Sequence, residues 1–202
     1  MLICEAEILK DVIQIIGKHV RLEEINASFF KYIIKWRNTK DFNRFLNQPF
    51  ELNMELEEKW YRDYVIDETQ GLLVMIDKDN NVPFGTIGWT DFDKNKHQCV
   101  WSRLLVGDMR YRGSIPFIEG LMLCMDYLYD SMEALIIYSH VVKENKASMK
   151  LQKRFGYEIN CGKCEYPEHL RILEDTMVEI YCKKNTYEKA RREIESIIKL
   201  AD

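Results

Sequence analysis

Three apolar runs of strand length lie almost end to end in the middle of the chain, and they restrict its fold more than any other feature. Residues 72–77 (LLVMID) lead through the turn-rich KDNN into residues 83–92 (PFGTIGWTDF), and residues 99–106 (CVWSRLLV) repeat the pattern. Short apolar runs separated by Asn and Asp pair as hairpins, so the spacing predicts a three-stranded antiparallel meander. A chain of 202 residues that is 47% apolar and 12% aromatic can close one sizeable core over such a sheet. One domain over residues 1–202 is expected.

The flanks alternate helix and strand. Residues 19–23 (HVRLE) read as a short strand, after which Asn26 can cap a helix with Phe29, Phe30, Ile33, Ile34 and Trp36 at helical spacing. That helix ends near Trp36-Arg37-Asn38. A second helix starts after Asn53, with Glu55, Glu57 and Glu58 where the dipole favours acid, and runs to about Val65 with Leu56, Trp60 and Tyr64 along one face. Beyond the meander, residues 115–129 repeat at helical spacing with Pro116 in the first turn. Residues 134–142 (ALIIYSHVV) are a strand, Asn145 to Phe155 a helix stopped by Gly156, and residues 176–182 (TMVEIYC) a last strand. A charged helix over 187–200 follows. The expected class is α/β (α+β), a mixed, mostly antiparallel sheet flanked by helices in the order βααβββαβαβ plus a C-terminal helix.

Composition narrows the function. A net charge of −4 gives no global attraction to nucleic acid phosphates or membrane surfaces. No apolar run reaches a membrane span, and the opening MLICEAEILKD lacks the basic-then-apolar order of a signal peptide. A cytoplasmic protein is expected. The cysteines (Cys4, Cys99, Cys124, Cys161, Cys164, Cys182) are scattered, so reduced thiols are expected. Cys161 and Cys164 form a C-x-x-C near His169, but four zinc ligands are not supplied and no metal is expected.

Tyr111-Arg112-Gly113, a helix, the strand 134–142 and the segment N-K-A-S-M-K-L-Q-K-R-F-G-Y from Asn145 to Tyr157 follow one another, with Arg112 and Asn145 standing 33 positions apart. This succession resembles the GNAT superfamily of acyl-CoA-dependent N-acetyltransferases, whose members carry an R-G-x-G-x-G loop and an N-x-x-S/A-x-x-L-x-x-x-x-G-F/Y segment at this spacing. The resemblance covers about residues 18–183. Trp36-Arg37-Asn38 and Glu174-Asp175-Thr176 are similar to the branch acting on protein N-termini and nucleotide-linked amino sugars.

The resemblance implies acetyl-CoA as co-substrate, bound without metal, and a small-molecule or peptide amine as acceptor. It places the coenzyme's pyrophosphate at Arg112, Gly113, Ser114, Ile115, Pro116 and Phe117, where backbone N–H groups and a helix N-terminus hold anions. Ile115 and Phe117 stand where relatives have glycines, so bulky side chains are expected to crowd the site, and Pro116 removes a donor. A second register, starting at Arg110, leaves Ile115 at the same place. Asn145 and Ser148 match the residues that meet the pantetheine arm, although Asn145 reads equally well as a helix cap. Leu105 and Val106 lie on the strand whose backbone pairs with the pantetheine amides.

Both familiar catalytic slots are empty. Gln152 occupies the position of the tyrosine acid and Ser102 that of a glutamate base. His140 and Tyr138, two apart on one strand face, and Asp91 are the candidate replacements, each with a bland alternative as a core, surface or turn residue. An acetyltransferase is the leading reading. An impaired domain that binds a ligand or partner protein is the second, and an interaction module using the C-terminal helix the third. Ile194, Ile197, Ile198 and Ala201 are sparse on that helix, so packing onto its own domain is favoured. A monomer or homodimer is expected.

Overall fold

The computed structural model describes residues 13–40, 45, 48, 50–162, 164, 168–170 and 176–200. It opens with strands β1 (Gln14–Ile16) and β2 (Val20–Glu24). Asn26 Oδ1 then accepts the Ser28 N–H at 3.0 Å, capping a 3₁₀ turn (Ala27–Phe29) that leads into α1 (Phe30–Asn38). Asn53 caps α2 (Met54–Val65) through the Leu56 N–H at 2.9 Å, with Glu55 and Glu57 in its first turn. The meander is β3 (Gly71–Asp77), β4 (Val82–Asp93) and β5 (Gln98–Val106). Then come α3 (Ile115–Asp126), a π-helical turn (Tyr127–Ser131), β6 (Ile136–Val142), α4 (Lys146–Arg154), β7 (Glu158–Ile159), β8 (Met177–Lys183) and α5 (Lys184–Leu200).

The strands form one sheet in the order β1-β2-β3-β4-β5-β6-β8-β7. Its pairings are antiparallel except β5 with β6, which is parallel. Helices α3 and α5 cover one face, where Leu22, Leu73, Met75, Phe84, Leu121, Met125 and Ile194 make the main core. Helices α1 and α2 cover the other with Phe30, Ile33, Trp36 and Tyr64 over Leu72, Val74, Ile76 and Leu105. Further along that second face Val100, Tyr138, Leu170 and Tyr181 form a smaller cluster.

The fold class and the meander stand as the sequence predicts. Two short strands were not anticipated. β1 offers three residues and β7 two, too few for alternation to register, and both exist through their ladders to β2 and β8. The helix expected over 115–129 changes pitch at Tyr127, where the Met132 N–H returns to the Tyr127 carbonyl. The last helix begins at Lys184 rather than residue 187, and Tyr187, Ile194 and Ile198 pack into the chain's own core. The signal-peptide reading, Cys4, the strand start at Glu174-Asp175 and Ala201 lie outside the described residues. No helix among the described residues is long and apolar enough to cross a membrane.

Candidate active site

The ladder between β5 and β6 has three rungs, Gln98↔Ile136, Cys99↔Ile137 and Val100↔Tyr138. Both strands continue past it, β5 to Val106 and β6 to Val142, so the sheet parts at its middle. The first backbone group beyond the last rung, the Trp101 carbonyl, accepts from Ser139 Oγ at 3.1 Å. After that, the β5 edge facing the gap has no strand partner among the described residues. Alternate N–H and C=O groups along such an edge point outward and will pair with any extended chain laid beside them. Leu105 and Val106 hold this edge from behind, paired with Thr86 and Gly85 of β4. Their side chains are anchored in the two opposite cores.

At the end of β5 the chain turns through residues 107–114 into α3. Asp108 takes the Arg110 guanidinium at 2.6 Å, leaving the exposed Arg112 side chain at the tip. Gly113 has φ +76, and a Cβ there would meet nothing within 4 Å, so the turn uses the glycine for its backbone angle. Ser114 caps α3, its Oγ accepting the Phe117 N–H at 3.4 Å, with Ile115 and Pro116 as the first helical residues. The expected crowding is corrected here. Phe117 is 4% exposed and belongs to the main core, and Ile115 packs against the same cluster. At the helix start Phe117 turns inward, so it does not obstruct the turn.

Across the gap, Asn145 caps α4 by accepting the Ser148 N–H at 3.0 Å. The cap reading therefore holds for its Oδ1. One turn on, Gln152 is 5% exposed and donates from Nε2 to Ser148 Oγ at 3.3 Å. Gln152 Oε1 and Ser102 Oγ are buried and have no hydrogen-bond partner among the described residues.

Register assigns the catalytic candidates to a face. Leu72, Gly88 and Ser102 are cross-strand neighbours, as are Thr90, Val100, Tyr138 and Tyr181, and neighbours across a ladder share a face. Ser102, Tyr138 and His140 thus lie on the face covered by α1 and α2. Tyr138 is 1% exposed, with its hydroxyl 3.5 Å from Cys164 Sγ. His140 is half-buried opposite Glu179. Burial draws its imidazole below the ordinary pKa, against a hydrogen bond to the Leu170 backbone and the charges of Glu179 and Asp91. Asp91 is exposed on a bulge of β4 with φ +55.

Sequence reasoning missed a charged cluster on this face. Arg103 sits where β5 bulges between Ser102 and Leu105, with φ +59. Its Nη2 donates to Gln70 Oε1, its guanidinium lies 5.3 Å from the Trp60 ring centroid, and its Nε is buried without a hydrogen-bond partner among the described residues. Arg37 of α1 and Glu57 of α2, 2% exposed, stand near it. Burial lowers the pKa of both arginines and raises that of Glu57, whose charge the two arginines favour. An arginine inside the apolar run CVWSRLLV was the signal available. The five described cysteines are free thiols, and burial pushes Cys124 up to about 12.

A mixed sheet that parts beside a turn and a helix N-terminus is the architecture of the acetyltransferase (GNAT) domain. Residues 19–158 match the acetyltransferase (GNAT) domain family, and the chain belongs to it. No curated protein sequence matches the chain. It is similar in fold to a GCN5-related N-acetyltransferase from Brucella melitensis, at TM-score 0.73 and 16% identity, covering 92% of this chain and 85% of that one. FdhC, a nucleotide-linked sugar GNAT, aligns at TM-score 0.70 and 15% identity over 90% and 96%. The spermidine N-acetyltransferase from Vibrio cholerae, in complex with CoA and spermine, aligns at TM-score 0.70 and 13% identity over 85% and 99%. Acetyl transfer to an amine is the general reaction of the family.

Proposed function

We propose that this chain transfers an acetyl group from acetyl-CoA to a primary amine of a small molecule or peptide, acting in the cytoplasm. The observation that carries this is the gap between β5 and β6, bordered on the β5 side by a strand edge without a strand partner and by Ser102 Oγ, and on the α4 side by Gln152 Oε1, both atoms buried without a hydrogen-bond partner among the described residues. The pantetheine arm is assigned to the β5 edge at Leu105 and Val106, with Asn145 and Ser148 opposite. The pyrophosphate is assigned to the turn from Arg112 through Gly113, Ser114, Ile115 and Pro116 to Phe117. The Phe117 N–H is spent on Ser114 and Pro116 has none, so Arg112 carries much of the anion binding.

In this reading the amine nitrogen attacks the thioester carbonyl carbon, the C–S bond breaks, and the amine proton passes to His140. Donation from one ring nitrogen to the Leu170 carbonyl fixes the tautomer that makes the other nitrogen the proton acceptor. Tyr138 and Asp91 are the alternatives in that order, and the thiolate takes its proton from water, since Gln152 has none to give. Titration calorimetry with acetyl-CoA tests binding, and no heat at millimolar coenzyme overturns the proposal. His140→Ala is expected to lower the transfer rate about 10²–10⁴-fold, the usual worth of a general base. A second reading, an impaired domain that binds a ligand or partner protein, is favoured by Gln152 and Ser102 in the acid and base positions. Coenzyme binding with no transfer to any amine supports it.

A further inference from the structure

The face on which His140 lies is electrically polar along its length. At one end are His140, Glu179 and Asp91, and the charge of Asp91 is felt by both His140 and Arg103. At the other are Arg103, Arg37 and Glu57. Asp67, also near Arg103, is spent on its own turn, accepting the Thr69 N–H at 2.9 Å, Thr69 Oγ1 at 2.6 Å and Gln70 Nε2 at 2.6 Å. Glu57 is the buried carboxylate that feels both half-buried guanidiniums, Arg103 feels Asp67 and Asp91 as well, and neither arginine has a salt bridge within 4 Å among the described residues. A buried N–H on a cation is costly to leave unpaired, and such groups call for a partner. Arg103 Nε is one. It is held stiffly, by the bulge behind, Trp60 against its plane and Gln70 on Nη2.

Resting on the acetyl-transfer reading, we propose that the acceptor is an amine that also carries a phosphate or carboxylate. Arg103 and Arg37 receive the anionic group while the amine lies toward Asp91 and His140. The arginine fork matches both anions, and a polycationic amine would set positive charge against the two guanidiniums.

Matched pairs test this. Glucosamine 6-phosphate against glucosamine, and 4-aminobutanoate against butylamine, are compared as acceptors and as stabilisers of the CoA-loaded protein against thermal unfolding. The anionic member of at least one pair is expected to bind about tenfold or more tighter, the scale of a charge-assisted hydrogen bond. The pair that responds identifies the anion. Arg103→Gln is expected to erase the preference and Arg103→Lys to keep part of it. Equal binding within both pairs, or a preference for spermidine, overturns the inference even if the variants fail to fold. Discrimination in binding with no acetyl transfer leaves the inference standing and overturns the function on which it rests.

Discussion

Glu119 is 4% exposed on the sheet-facing side of α3, and its carboxylate accepts three consecutive backbone N–H groups: Lys18 and His19 at 2.7 Å each, and Val20 at 3.0 Å. It ties the start of β2 to the helix that follows the candidate phosphate turn. Glu119→Gln puts an amide N–H₂ where one acceptor stood and is expected to cost roughly 2–3 kcal/mol, the loss of charge-assisted bonds in a buried setting, read as a lower urea midpoint. His140 makes a pH prediction. Its pKa is lowered, so the imidazole is expected to remain a neutral base below the ordinary value of about 6.5, and the acid limb of the rate profile falls under that pH. His140→Ala removes the limb. Linkage has the same sign: the unfolded chain takes up the proton first, so the contribution of this site to stability, present above about pH 6.5, is lost as pH falls through the folded value. The position of His140 could be read from its strand, but the neutral state could not, because it depends on burial by the folded chain.

At the scale of elements, periodicity carried most of the information. The meander, both capped helices of the second face and the α4 cap are visible as apolar spacing and Asn placement, because those signals are local. Direction is not local. Alignment put Phe117 beside the phosphate turn, whereas the helix begun at Ser114 rotates it into the core between sheet and α3. Phe117→Ala is therefore expected to cost about 3–5 kcal/mol of stability without tightening coenzyme binding, as thermal unfolding and calorimetry on one variant would reveal. The bulge that turns Arg103 was equally hidden, since one extra residue in a strand leaves composition unchanged. Arg37, Glu57 and Arg103 come from α1, α2 and β5, and only the sheet brings them together.

The sheet consists of two groups of strands joined along one seam. Strands β1 to β5 follow each other in space as in sequence, and β6, β8 and β7 form the second group. Helix α5 packs on α3 and β8, with Arg191 Nε at 2.7 Å and Tyr187 Oη at 2.6 Å from Asp126 Oδ1 of α3. The seam itself is three parallel rungs, and closing it needs the whole crossover through α3. Such closure is slow relative to hairpin formation, because loop entropy is spent before any contact rewards it. The folding reaction should therefore run from the meander outward, leaving the seam unformed at the barrier. Ile137→Val, at a fully buried seam position, is then expected to speed unfolding while hardly slowing refolding, and stopped-flow chevrons would separate the two limbs. A chain caught on the ribosome before β6 emerges would already hold the arginine end of its acceptor face and lack His140 and the far wall of the cleft.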